Sequence, residues 1–192
     1  MLVMSMSSGI LLDADVISHF MASEEQALLC KVFSKDILMI VDQVYTEASY
    51  CPWDPLRKEK LDTFIMDNHI FRLSFPQDLS SQVVDEYFRL KADNPRLGKG
   101  ERACLSIARF HNDVIASSNF KDVASYCSVH NIVYLGFLDI LWIAVKTNLI
   151  TEDTANAIVV KAIQRNGARF PVDNMAEYLP VKDLSRWIEE AL

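Results

Sequence analysis

Five short apolar runs constrain this chain more than any other feature. Residues 9–13 read GILLD, 37–41 ILMIV, 113–117 DVIAS and 132–135 IVYL, and a weaker run spans 69–74. The stronger runs do not alternate apolar with polar residues. A strand with one wet face alternates; a strand covered on both faces does not. Helical patterns lie between the runs, over 24–33, through Val44, Glu47 and Ala48, then over 56–68, 80–92 and 101–110, and through Tyr126. Strands alternating with helices pair in parallel through right-handed crossovers. The expected fold is α/β, in three layers (α/β/α), with a central mostly parallel sheet of about four to five strands.

Punctuation supports these boundaries. Pro52 and Pro55 break the chain, and Asn94-Pro95 stops a helix. Gly98 and Gly100 mark a turn. An apolar helix is expected over 137–147. Thr151 reads as an N-cap with Glu152 and Asp153 in the first turn. Ala155, Ile158, Val159, Ala162 and Ile163 then form one apolar stripe, ended by Gly167. A last helix is expected over 181–192. The length of 192 residues suits one domain, 1–192, with a core over about 10–180.

No apolar stretch approaches a membrane span, and Asp139 interrupts the longest one, at 137–145. The opening MLVMSMSSG lacks the basic region of a signal peptide. The expectation is therefore a soluble, cytoplasmic protein with no membrane partner. Cys30, Cys51, Cys104 and Cys127 form no CxxC pair and no zinc spacing, which reads as free and mostly buried thiols. His19, His69, His111 and His130 join no HExxH or Ser/His/Asp signature. The net charge of −7 argues against a basic surface that grips nucleic acid. It leaves open an acidic site acting through bound cations, because a metal reverses the local sign.

In open α/β sheets, sites lie beyond the carboxyl ends of the strands. Three acids fall there. Asp13 ends the first strand, Glu47 lies in the helix after the second, and Glu101 opens the helix after the double-Gly turn. Glu101 shares a helical face with Leu105 and Ala108, and Glu47 lies in phase with Val44 and Ala48. Two carboxylates about 4 Å apart repel by roughly 4 kcal/mol at an effective dielectric of 20. A hard divalent cation offsets that repulsion. Each acid also has a plainer reading: Asp13 as a helix cap, Glu47 as a half-exposed helix acid, Glu101 as a first-turn acid serving the macrodipole.

Several stretches taken together resemble the PIN-domain family of metal-dependent ribonucleases, which includes VapC-type toxins of toxin–antitoxin pairs. They are LLDADVISHF (11–20), VDQVYTEAS (41–49), LGKGERACLSIA (97–108) and VIASSNFKDVASYCSVHNIVYLG (114–136). The resemblance implies a Mg²⁺- or Mn²⁺-dependent endoribonuclease, a hydrolase of RNA phosphodiester bonds. It assigns Asp13, Glu47 and Glu101 to catalysis and metal binding, and it implies an antitoxin partner and a homodimer. The family's fourth strand usually ends in Thr-x-Asp. Here Ser117, Ser118 and Asn119 stand there, so Ser117 would orient water and Asn119 would hold a water or the metal. Asp122 and Asp15 are candidates to share the missing charge. Lys99 and Arg102 are candidate phosphate contacts, with ordinary surface cations as the alternative. Trp53 and the helix 56–68 are candidate interface elements. A catalytically weak PIN domain acting as a protein- or RNA-binding module is the alternative function. A doubly wound nucleotide binder fits poorly, since no Gly-rich phosphate loop follows the first strand.

Overall fold

The computed structural model describes residues 9–189, the side chains of 120–122 excepted. Five strands form one sheet: β1 (Gly9–Leu12), β2 (Ile37–Val41), β3 (Phe71–Leu73), β4 (Val114–Ala116) and β5 (Tyr134–Leu135). Their order is β3-β2-β1-β4-β5, and every pairing is parallel. Leu11 lies opposite both Met39 and Ile115, so β1 is the central strand. All residues of β1 and β4 are buried. Helices therefore cover both faces, as the unbroken apolar runs require.

The helices are α1 (Ala14–Ser23), α2 (Gln26–Val32), α3 (Asp42–Ala48), α4 (Arg57–Asp67), α5 (Ser81–Asp93) and α6 (Lys99–His111), followed by α7 (Phe120–His130), α8 (Phe137–Lys146), α9 (Glu152–Asn166) and α10 (Ser185–Glu189). Among the described residues, no helix is long and apolar enough to cross a membrane. Helix α1 packs on α9 and α3, and α6 packs on α5 and α3. The α9 signals act as expected: Thr151 Oγ1 accepts from the Thr154 amide at 3.2 Å, and Gly167 ends the helix in the left-handed region, at φ 64°.

Helix α1 is the element that the sequence pattern conceals. Val16, Ile17, His19, Phe20, Met21 and Ser23 are all buried, so no polar stripe marks its period. The last helix is shorter than expected and starts at Ser185. Lys182, which would have lain in it, instead donates to the Tyr134 carbonyl at 2.6 Å and to Asp139 Oδ2 at 2.9 Å. Asp183 Oδ1 then accepts from the Ser185 amide where the helix begins. Residues 190–192, and the N-terminal segment read against a signal peptide, lie outside the described residues. All four cysteines are free; Cys104 and Cys127 are buried, Cys30 and Cys51 half-buried.

Candidate acidic site at the strand ends

The chain winds outward from β1 through β2 to β3, then returns to the other side of β1 for β4 and β5. The strand order reverses between β1 and β4, and a crevice opens at their carboxyl ends at such a point. Asp13 follows β1 there, and Ser117–Ser118–Asn119 follow β4. The Asp13 amide donates to the Ala116 carbonyl at 2.9 Å, which fixes the two loops side by side.

Asp13 is 3 % exposed. Its Oδ1 accepts from the Ala14 amide at 2.8 Å and caps α1, as the plainer reading expected. Its Oδ2 accepts from Ser117 Oγ at 2.8 Å. Ser117 is fully buried, so its hydroxyl fixes the Asp13 rotamer. Two residues on, Asp15 turns the same way. Its Oδ1 accepts from the Val16 amide at 2.6 Å and its Oδ2 from the Ser118 amide at 2.8 Å.

Glu101 serves the start of its helix, as the plainer reading expected, and also reaches the loop after β4. Oε2 accepts from the Gly98 amide at 2.7 Å, completing the start of α6. Oε1 accepts from Nδ2 of Asn119. Asn119 therefore steadies a neighbouring carboxylate and brings no charge of its own. Glu47 is exposed, yet its Oε1 accepts from the Gly100 amide, 3.2 Å away. Gly100 permits that approach: a Cβ there would stand 2.8 Å from Glu47 Oε2 and 2.9 Å from Val44 Cγ2.

Electrostatics tie the four acids together. Burial, then the charges of Asp15 and Glu101, hold the Asp13 carboxyl well above the usual carboxylate range, against the pull of its bonds from Ser117 and Ala14. Burial raises Asp15 too, and the Glu101 charge adds to it. The buried Cys104 thiol is held far above its usual value by burial and by the fields of Asp13, Glu47, Asp15 and Glu101. Among the described residues, none of the four carboxylates forms an ion pair.

Two findings bear on a metal. Among the described residues, no three His, Cys, Asp or Glu side chains stand close enough to hold one ion together. The donor set itself is all oxygen and carries uncompensated negative charge. Mg²⁺ is usually held by one or two carboxylates with several retained waters, not by a full protein cage. The chemistry of this donor set fits that pattern.

The candidate phosphate contacts separate. Lys99 is exposed and lines an open cleft with Glu47, Gln43 and Tyr87. Arg102 points inward. It is 6 % exposed, donates from Nη1 to the Leu97 carbonyl at 2.9 Å and lies over the Tyr87 ring. It holds the loop before α6 and is not the surface cation that sequence allows. The side chain of Asp122 lies outside the described residues. Asp15 was visible in the sequence only as a possible sharer of charge; its bond to the Ser118 amide, 103 residues away, makes it a full member of the crevice. Trp53 is 88 % exposed, and α4 presents Met66 to solvent.

The fold and site define a class: a parallel α/β domain with an acidic crevice where its strand order reverses. No protein-family model, curated protein or solved structure matches the chain.

Proposed function

We propose that this protein is a metal-dependent ribonuclease that hydrolyses RNA phosphodiester bonds with Mg²⁺ or Mn²⁺. The observation that carries the reading is that Ser117, Ser118 and Asn119, after β4, hold Asp13, Asp15 and Glu101 at one edge of the sheet, with Glu47 on the Gly100 amide of the same helix as Glu101, and none of the four in an ion pair among the described residues. Burying an unpaired carboxylate such as Asp13 is unfavourable, so its retention beside further acids points to a positive ligand. The resemblance of 11–20, 41–49, 97–108 and 114–136 to PIN domains supports the same reading, and from it comes the role of toxin in a toxin–antitoxin pair.

Asp13, Glu47 and Glu101 would hold the cation in part through its retained waters, since no three of them stand close enough to ligate one ion directly, with Asp15 adding charge. A bound divalent ion supplies a water of lowered pKa and neutralises charge on the phosphoryl oxygens. The protein's own part is positional. Ser117 locks Asp13, Asn119 locks Glu101, and the Gly100 amide holds Glu47. Lys99 supplies the exposed cation nearest Glu47 for a substrate phosphate. The test is cleavage of single-stranded and structured RNA with Mn²⁺, Mg²⁺ or EDTA. Cleavage that needs metal and vanishes in Asp13→Asn supports the reading; cleavage unchanged in Asp13→Asn refutes the assignment.

One observation favours a second reading. The fourth corner holds the amide of Asn119 in place of an acid, and its nitrogen is turned to Glu101. A binding module that has lost turnover would look like this. Divalent binding without any RNA cleavage would select it.

A further inference from the structure

A second cavity adjoins the acidic crevice. Its volume is about 450 Å³, within the range that encloses a small molecule. Ser118, Phe170, Val172, Tyr178, Leu179 and Lys182 line it. Ser118 belongs to both places. Its amide donates to Asp15 in the crevice, and its hydroxyl accepts from the Phe137 amide at the cavity wall, at 3.2 Å.

The walls are flat and aromatic. Phe170 stacks on Phe137, with ring centroids 5.1 Å apart and planes 12° from parallel, and Tyr178 and Tyr134 add further rings. The lining charges balance, Arg169 and Lys182 against Asp139 and Glu177, and Asp139 and Lys182 are paired with each other. Asp139, whose side chain is 1 % exposed, accepts from Lys182 Nζ at 2.9 Å, from the Tyr178 hydroxyl at 2.6 Å and from the Gly136 amide at 2.7 Å. A cavity neutralised in this way suits an uncharged flat ring better than a fatty carboxylate. The rim leaves apolar surface uncovered: Leu179 is 80 % exposed and Val181 94 %.

We propose that this cavity is a subsite for one unstacked nucleobase of a single-stranded RNA whose adjacent phosphate lies at the acidic crevice. The identity of the polymer rests on the ribonuclease reading; the base-binding cavity is tested separately from it. Aromatic walls accept any base by its π-face, and Tyr178 and Ser118 offer hydroxyls to its edge. The arrangement selects unpaired substrate, because a base held in a duplex stack cannot enter.

Calorimetry in EDTA tests the cavity without catalysis, using nucleoside 5′-monophosphates against ribose 5-phosphate, with dodecanoate as a third ligand. The expected result is that at least one nucleotide binds about tenfold or more tightly than ribose 5-phosphate. Leu179→Glu, at an exposed position that leaves the fold unaltered, should abolish that difference, and Phe170→Leu should reduce it. Equal binding of nucleotide and ribose 5-phosphate overturns the proposal. So does dodecanoate binding without nucleotide binding, or a folded Leu179→Glu that binds nucleotide as wild type does. Base-dependent binding in a protein that cleaves no RNA upholds the cavity and removes the nuclease reading. Metal-dependent cleavage without base preference does the reverse.

Discussion

Two carboxylates in this protein are equally hidden from solvent and oppositely treated. Asp13 is 3 % exposed and Glu86 5 %. Glu86, on α5, receives Arg89 through Nη2 at 2.6 Å and Nε at 2.9 Å, Arg109 at 2.6 Å and the Tyr126 hydroxyl. Those partners, the Arg89 bonds first, pull its pKa down to about 2. Asp13 receives a serine hydroxyl and one amide, has acidic neighbours, and is shifted upward. The fold has therefore matched one buried acid with cations and left the other without. The matched acid ties α5 to α6 and α7, a structural task. The unmatched one sits at the carboxyl end of β1, where the strand order reverses, the place at which open α/β sheets bind their ligands.

The largest effect that separates the two is on stability. Removing a buried charge from its partners strands those that remain. Glu86→Ala should lower unfolding stability by about 3 kcal/mol, measured by urea denaturation at pH 7. Asp13→Asn should stay within about 1 kcal/mol of wild type, because relief of repulsion offsets a weakened cap. If the two substitutions cost the same, the division between structural and functional acid is wrong.

The pH dependence sharpens the contrast. The folded-state pKa of Glu86 lies below its ordinary value of 4.5, so its contribution is complete above about pH 4.5 and is lost as pH falls through about 2. His19 has the same sign. Buried between Phe137 and Phe170, it is pushed down to about 4 from 6.5, so its contribution is present above 6.5 and is lost as pH falls through 4. Asp13 and Asp15 have the opposite sign: their folded-state values, about 8 and about 6, lie above the ordinary 3.8, so their contribution is present below 3.8 and is lost as pH rises through them, which opposes His19. Urea midpoints in wild type should therefore drop only below about pH 4, where Glu86 is lost. In Glu86→Gln the drop below pH 4.5 should be shallower, while the profile above pH 4.5 stays as in wild type. A Glu86→Gln profile parallel to wild type throughout would remove Glu86 as its source.

A smaller effect is expected at Asn119. Asn119→Asp places a fourth charge beside Glu101 and removes the amide bond between them. The metal-free protein should lose about 1 kcal/mol, from a lost hydrogen bond and added repulsion. Mg²⁺ should bind more tightly, since charge dominates hard-cation affinity. Thermal melts with and without Mg²⁺ read both changes. A variant destabilised without Mg²⁺ and not rescued by it would show that Asn119 faces Glu101 alone.

Much of this layout is legible in the sequence, for definite reasons. Unbroken apolar runs in β1, β2 and β4 require a sheet covered on both faces, and a doubly covered parallel sheet puts strand-end acids at one edge. Asp13 and Glu101 follow from that rule and from the Gly98–Gly100 turn. Other features depend on distant residues. Asp15 looks like a solvated first-turn acid until the loop after β4 brings the Ser118 amide to it. Helical phase suggests that Glu47 faces the body of the protein, whereas the residue is exposed and its carboxylate accepts from the Gly100 amide. Arg102 has the sequence signature of a surface cation, and only the packing of Tyr87 on α5 against α6 reveals it as buried. The aromatic cavity carries no local signal, because Phe137 and Phe170 meet across 33 residues and the closing segment 178–182 arrives from the end of the chain.

The central claim is that the unmatched acids await a cation. Isothermal titration of the metal-free protein with Mn²⁺ at pH 7.5 tests it most directly, with Asp13→Asn, Glu101→Gln and Lys99→Gln measured alongside. Saturable binding by wild type is predicted, weakened about tenfold or more in each carboxylate variant and changed less than about twofold in Lys99→Gln. No saturable binding by folded wild type, or equal affinity in all four proteins, would contradict the account.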